Sequence, residues 1–149
     1  MYCLHSTLQA RPDTRGLLRV VRRIGDRCGL AIPAADDFVP YDFTLANLLS
    51  DGAAITGVID INPPVLAGDR AFDLATLLFC RYGHDDIRDL LRARLLDLAG
   101  PQAARACLAH MVLRQVDWSL RHHPTAPATQ RHLGLARLVT ADIGHRPAH

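Results

Sequence analysis

Three oxygen-bearing side chains in the middle of the chain are spaced so that they can act together: Asp42, Asn47 and Asp60. Asp42 and Asn47 bracket the stretch Tyr41-Asp42-Phe43-Thr44-Leu45-Ala46-Asn47, and Asp60 closes the run Ile55-Thr56-Gly57-Val58-Ile59-Asp60. Between the apolar runs Leu45–Leu49 and Ile55–Asp60 lies Ser50-Asp51-Gly52, a turn signal of the Asp-Gly kind, so the spacing predicts a β-hairpin. A hairpin reverses the chain, and paired strands lie about 4.8 Å apart. Asn47 and Asp60 are therefore expected within reach of one shared object, with Asp42 approaching from one loop earlier. Two carboxylates and an amide oxygen suit a hard cation such as Mg²⁺. Phosphoryl transfer uses these parts: an Asp to orient and deprotonate the acceptor hydroxyl, and Asn and Asp to hold metal against phosphates. Taken singly, the three also have plain structural readings, as a turn Asp, a backbone-bonding Asn at the start of a strand and an Asp at a strand end.

The elements that must position these residues follow from periodicity. Pro12 and Asp13 open an amphipathic stretch in which Leu17, Val20, Val21, Ile24 and Cys28 recur at helical steps, and Gly29 is a stop. Its Arg15, Arg19, Arg22, Arg23 and Arg27 read as a solvated face. Asn62-Pro63-Pro64 ends the second hairpin strand, because two prolines cannot continue a ladder. From Gly68-Asp69 onward the pattern is helical. One helix runs Ala71–Arg81 and closes by Gly83; Asp85 caps a second that stops at Gly100. Pro101 opens a third, which ends at His122-His123-Pro124, and a last helix spans about Ala126–Ile143. The reading is α+β, mainly α, with one small hairpin and about five helices.

Composition removes many alternatives. All 17 basic residues among the 149 are Arg and all 15 acidic ones are Asp, with no Lys and no Glu. This excludes a Walker-type Lys, Schiff-base chemistry, a zincin Glu and the last ligand of an EF-hand. The net charge is +2 and no basic tail stands out, so no nucleic-acid partner is expected. Cys3, Cys28, Cys80 and Cys107 form no CxxC pair, the eight histidines lack metal spacing, and no apolar window approaches a membrane span. Without a signal peptide at Met1–Ser6, the expectation is a soluble, cytoplasmic protein with no membrane partner.

Asp42-(four residues)-Asn47, then Gly57-Val58-Ile59-Asp60, then Gly68-Asp69-Arg70-Ala71-Phe72-Asp73-Leu74-Ala75 resembles the carboxy-terminal lobe of the aminoglycoside phosphotransferase and choline kinase group. The likeness is dense from Asp42 to Leu78 and looser through the helices to about Trp118. It implies a kinase-like lobe over residues 1–149, with a lead-in helical region at 1–35, catalytic loop and hairpin at 36–70, and helical subdomain at 71–149. It further implies Mg²⁺- and ATP-dependent phosphoryl transfer to a hydroxyl of a small molecule. On the matching positions Asp42 is the catalytic base, Asn47 and Asp60 hold the metal and nucleotide, and Asp73 is a buried acid bracing the loop. Asp85, Asp86, Asp89 and Asp117 lie on helices that line the acceptor pocket in such enzymes, where acid would suit a cationic substrate. Trp118 is expected in the core or on the substrate wall.

The sequence departs from that pattern in two places. Pro40-Tyr41 stands where the group has His-Gly, and about 40 residues without Lys, Glu or a Gly-rich loop precede Asp42. The nucleotide-gripping lobe is thus expected to be absent, the chain beginning inside an ancestral domain at Tyr2-Cys3-Leu4-His5-Ser6. Three explanations follow: the chain is a fragment of a gene whose upstream part was lost or miscalled, it pairs with a separate nucleotide lobe, or it is a degenerate remnant. Little or no turnover by this chain alone is expected, and self-association through an uncovered apolar face. The contrasting reading is a non-catalytic remnant serving as a binding or interaction module.

Overall fold

A computed structural model of the protein describes residues 4–28, 36–40, 42–61 and 66–145. These residues are mainly helical: α1 (Leu4–Ala10), α2 (Arg15–Cys28), α3 (Ala71–Arg81), α4 (Asp85–His122) and α5 (Pro127–His145). Four short strands, β1 (Asp37–Val39), β2 (Leu48–Ser50), β3 (Ile55–Val58) and β4 (Leu66–Gly68), form two antiparallel pairs, β1 with β4 and β2 with β3.

The helices pack around α4, which contacts each of the other four. Leu17, Leu18, Val21, Ile24 and Cys28 put the apolar stripe of α2 into that core, and the arginines lie mostly on its exposed side. Thr14, fully buried, ties α1 to α2: its hydroxyl donates to the Leu8 carbonyl at 2.7 Å, and its own carbonyl accepts the Leu18 N–H at 3.1 Å. The start of α2 is therefore set by Thr14 and not by Pro12-Asp13. From α3, Ala75, Leu78 and Phe79 enter the same core, against Met111, Val112 and Val116 of α4. Truncating a fully buried ring such as Phe79 to Ala would cost about 3–5 kcal/mol.

Helix α4 carries the predicted break. Gly100 has φ +73°, ψ 167°, a backbone open to glycine, and Pro101 begins the second arm where its missing N–H is harmless. The N-terminal cap differs from expectation. His84 is the last non-helical residue and its carbonyl accepts the Arg88 N–H at 2.8 Å, which leaves Asp85 inside the first turn, favourable to the helix dipole.

The hairpin forms with its turn where expected. Asp51 Oδ1 accepts the N–H groups of Ala53 and Ala54 at 2.9 and 2.8 Å, and Gly52 takes φ +94°. These two backbone donors hold the Asp51 carboxyl below its ordinary range. The first strand is shorter than predicted: Leu45–Asn47 is a single 3₁₀ turn, and pairing begins at Leu48↔Val58, with an irregularity at Leu49/Ser50. The sheet of β1 and β4, in register Asp37↔Gly68 to Val39↔Leu66, was not anticipated. Gly29 and the break at Asn62-Pro63-Pro64 lie outside the described residues. Cys28, Cys80 and Cys107 are free thiols, and no described helix is long and apolar enough to cross a membrane.

Candidate active site

The loop leading into the hairpin is built around one carbonyl. The main-chain oxygen of Asp42 accepts the Thr44 N–H at 2.8 Å and the Asn47 side-chain Nδ2 at 2.9 Å. Asn47 Nδ2 also lies 3.3 Å from Asp42 Oδ2, and the Asn47 N–H donates to the Thr44 carbonyl at 3.0 Å. These bonds explain the 3₁₀ turn. Extended backbone at 45–47 would lose the Asn47–Thr44 bond and carry the amide away from Asp42. A carbonyl oxygen only accepts, so the atom facing it must be the NH₂ of Asn47. The amide oxygen of Asn47 takes no part in these bonds.

Asp60 comes to the same end of the hairpin through the ladder. The Ile59 N–H donates to the Asn47 carbonyl at 2.9 Å, one step beyond the Leu48↔Val58 pair. Asp60 is the next residue, immediately past the rung that contains Asn47. Its φ is +57°, the sole left-handed non-glycine residue among those described. Asp tolerates that region better than most residues, yet it is a sparsely populated state of the kind that gathers at functional sites. The side chain is exposed.

The charge of the loop also reaches the C-terminal half of α3. The Cys80 thiol is pushed up by burial and further by the Asp42 carboxylate, with Arg81 opposing. Cys80 therefore lies within electrostatic range of Asp42, although 38 residues separate them in sequence. Asp73 lies buried in the first turn of α3, where either the bracing role or a dipole-favoured acid would put it. Asp69 Oδ1 accepts the Ala71 N–H at 2.8 Å and fixes the start of that helix.

The other acidic candidates do not assemble. Asp85 and Asp89 are exposed and engage Arg88 at 2.7 and 2.9 Å, Asp86 is exposed, and Asp117 is buried in an ion pair with Arg121. Trp118 is not in the core: its indole is 48% exposed and lies against the rings of His122 and His123 at the end of α4.

Chemically, the hairpin mouth offers two carboxylates and one amide oxygen. Among the described residues no group of three or more His, Cys, Asp or Glu side chains is placed to hold a metal ion, and this mixed set is a different kind of cluster. It fits an octahedral cation that keeps several of its waters and takes only one or two protein ligands. Comparison of the chain with protein-family models, with curated proteins and with solved structures finds no match.

Proposed function

We propose that the hairpin mouth is a phosphoryl-transfer site in a kinase-like carboxy-terminal lobe, acting on a hydroxyl group of a small molecule with Mg²⁺ and ATP. The observation that carries this reading is the bond from Asn47 Nδ2 to the Asp42 carbonyl, together with the Ile59 N–H on the Asn47 carbonyl, which brings Asp60 to the same end of the hairpin. Asn47 and Asp60 are the residues that would hold the cation. When bound, Mg²⁺ supplies neutralisation of charge on the phosphate oxygens. Asp42 orients the acceptor hydroxyl and takes its proton on a carboxylate oxygen. The hydroxyl oxygen forms its bond to the γ-phosphorus as the bond to the β-phosphate oxygen breaks, and ADP leaves. Asn47 keeps the Asp42 backbone fixed while this occurs, so the base need not reorganise.

The chain contains neither Lys nor Glu, so nucleotide grip of the Lys–Glu kind would have to come from a second polypeptide segment. Exposed apolar side chains on the hairpin supply a surface for one: Leu49, Ile55 and Ile59 are each 45% exposed or more. The same face supports a second reading, a non-catalytic binding module or a self-associating domain.

Transfer of labelled γ-phosphoryl from MgATP to a panel of small alcohols and amino sugars tests the first reading. Asp42→Asn should lower any transfer by about 10²–10⁴-fold while the fold is retained. An unchanged rate rejects Asp42 as the base. Absence of nucleotide binding at millimolar concentration favours the interaction module.

A further inference from the structure

A cavity lies at the elbow of α4, and none of the hairpin residues lines it. It encloses about 180 Å³ where the two arms of α4 diverge at Gly100, and the C-terminal ends of α3 and α5 close it. Leu95 of the first arm and Ala104 and Leu108 of the second supply apolar walls, with Ile143 of α5 opposite. An apolar void of about 150 Å³ accommodates a benzene ring, so this one has room for a ring and a small substituent.

The polar groups in the wall are unequally satisfied. Asp142 Oδ2 is shared by the Tyr82 hydroxyl at 2.6 Å and by Arg92 Nη1 at 2.9 Å, so that carboxylate is already engaged by protein groups. Among the described residues no carboxylate pairs with Arg105 in that way. Its Nη2 donates to the Ile143 carbonyl at 2.6 Å, and its Nε–H is buried with no acceptor. A buried guanidinium N–H without an acceptor is costly, and a carboxylate answers it with a charge-assisted bond. Arg92 and Asp142 cancel, and Arg105 leaves the lining with one net positive charge. The neighbouring surface cleft, which shares Tyr82, Arg92 and Asp142, adds Arg88.

We infer that the elbow of α4 is a binding site for a small apolar carboxylate, of the size of an aromatic or branched aliphatic acid, with the ring or chain between Leu95, Ala104 and Leu108 and the carboxylate on Arg105. The site is separate from the hairpin mouth and does not depend on the phosphoryl-transfer reading. The kink is what creates it: on a straight α4 Leu95 and Leu108 would lie about 20 Å apart along the axis and point to nearly opposite sides, with no enclosed volume between them.

Titration of the full chain with benzoate, benzyl alcohol and benzylamine, followed by amide NMR shifts, tests the assignment. Benzoate should saturate with a dissociation constant of about 1 mM or below, about tenfold tighter than benzyl alcohol, and benzylamine should not saturate. The shifts should centre on Leu95, Leu108 and Ile143. Arg105→Met should bring benzoate down to the level of benzyl alcohol, and Ala104→Leu, which fills the void, should remove both. Equal binding of the three probes, shifts centred elsewhere, or no saturation by benzoate at about 50 mM overturns the inference. The three-probe comparison on the unaltered chain decides the matter even where a substitution prevents folding.

Discussion

Asn47 holds Asp42 by its backbone: Nδ2 donates to the Asp42 carbonyl at 2.9 Å and approaches the Asp42 carboxylate at 3.3 Å. One amide thus sets the loop that carries the candidate base, and removing it should loosen that loop. Asn47→Ala should lower stability by about 1 kcal/mol in urea unfolding, the value of one intramolecular hydrogen bond. Asn47→Asp should cost more, because it turns an acceptor toward an acceptor and sets two carboxylates together. Equal stability of the Asn, Ala and Asp forms would contradict this role.

Asp60 is held at φ +57°, and that backbone can be tested apart from its carboxylate. Asp60→Gly should leave stability unchanged or raise it, since glycine occupies the left-handed region freely. Asp60→Val should cost about 1–2 kcal/mol, because a β-branched residue there is strained. Both variants lose the carboxylate, so the difference between their melting temperatures reports the backbone alone. No difference would mean the residue is not left-handed in solution.

The helical half of the fold was readable because its signals are local. Ala71–Arg81 has an unbroken apolar pattern before Gly83, and Gly100-Pro101 is a stop followed by a start. The Asp51 turn was readable for the same reason, since its bonds reach only to Ala53 and Ala54. What escaped depends on distant partners or on which way a side chain turns. Strand β1 has three residues and pairs with β4 some thirty positions away, too short for an alternating pattern to show. Leu45–Asn47 is as apolar as a strand, and only the pull of Asp42 and Thr44 on Asn47 makes it a turn. The three candidate residues could be named from spacing; the direction of the Asn47 amide, the backbone of Asp60 and the influence of the Asp42 charge on the Cys80 thiol could not.

His132 gives the fold a pH dependence. Its ring is half-buried, its Nδ1 lies 2.7 Å from Ser119 Oγ, and burial, aided by Arg131, lowers its pKa. A histidine lowered on folding binds its proton more readily in the unfolded chain. The stability it contributes is full above the unfolded value near 6.5 and is lost as the pH falls through and below it. Melting temperature should therefore drop between about pH 7.5 and 5.5, and His132→Gln should flatten that drop. An equally steep drop in the variant would assign the effect to other groups.

Leu49 and Ile55 are 48% and 63% exposed on the hairpin, and Ile59 at its end is 45% exposed. Sedimentation velocity should show a weight-average coefficient that rises with concentration, and Leu49→Asp with Ile55→Asp should abolish the rise. A monomer at every concentration would show that this face does not mediate self-association.

The central claim is that the hairpin mouth holds a divalent cation and its nucleotide. Mn²⁺ stands in for Mg²⁺, and its unpaired electrons broaden the NMR signals of nearby nuclei. Titrating the full chain with Mn²⁺·ATP should broaden first the amide signals of Asp42, Asn47, Ile59 and Asp60, and Asp60→Asn should weaken that effect about tenfold or more. Broadening that begins at Asp85, Asp86 and Asp89 instead, or none in the hairpin at millimolar nucleotide, would contradict the account.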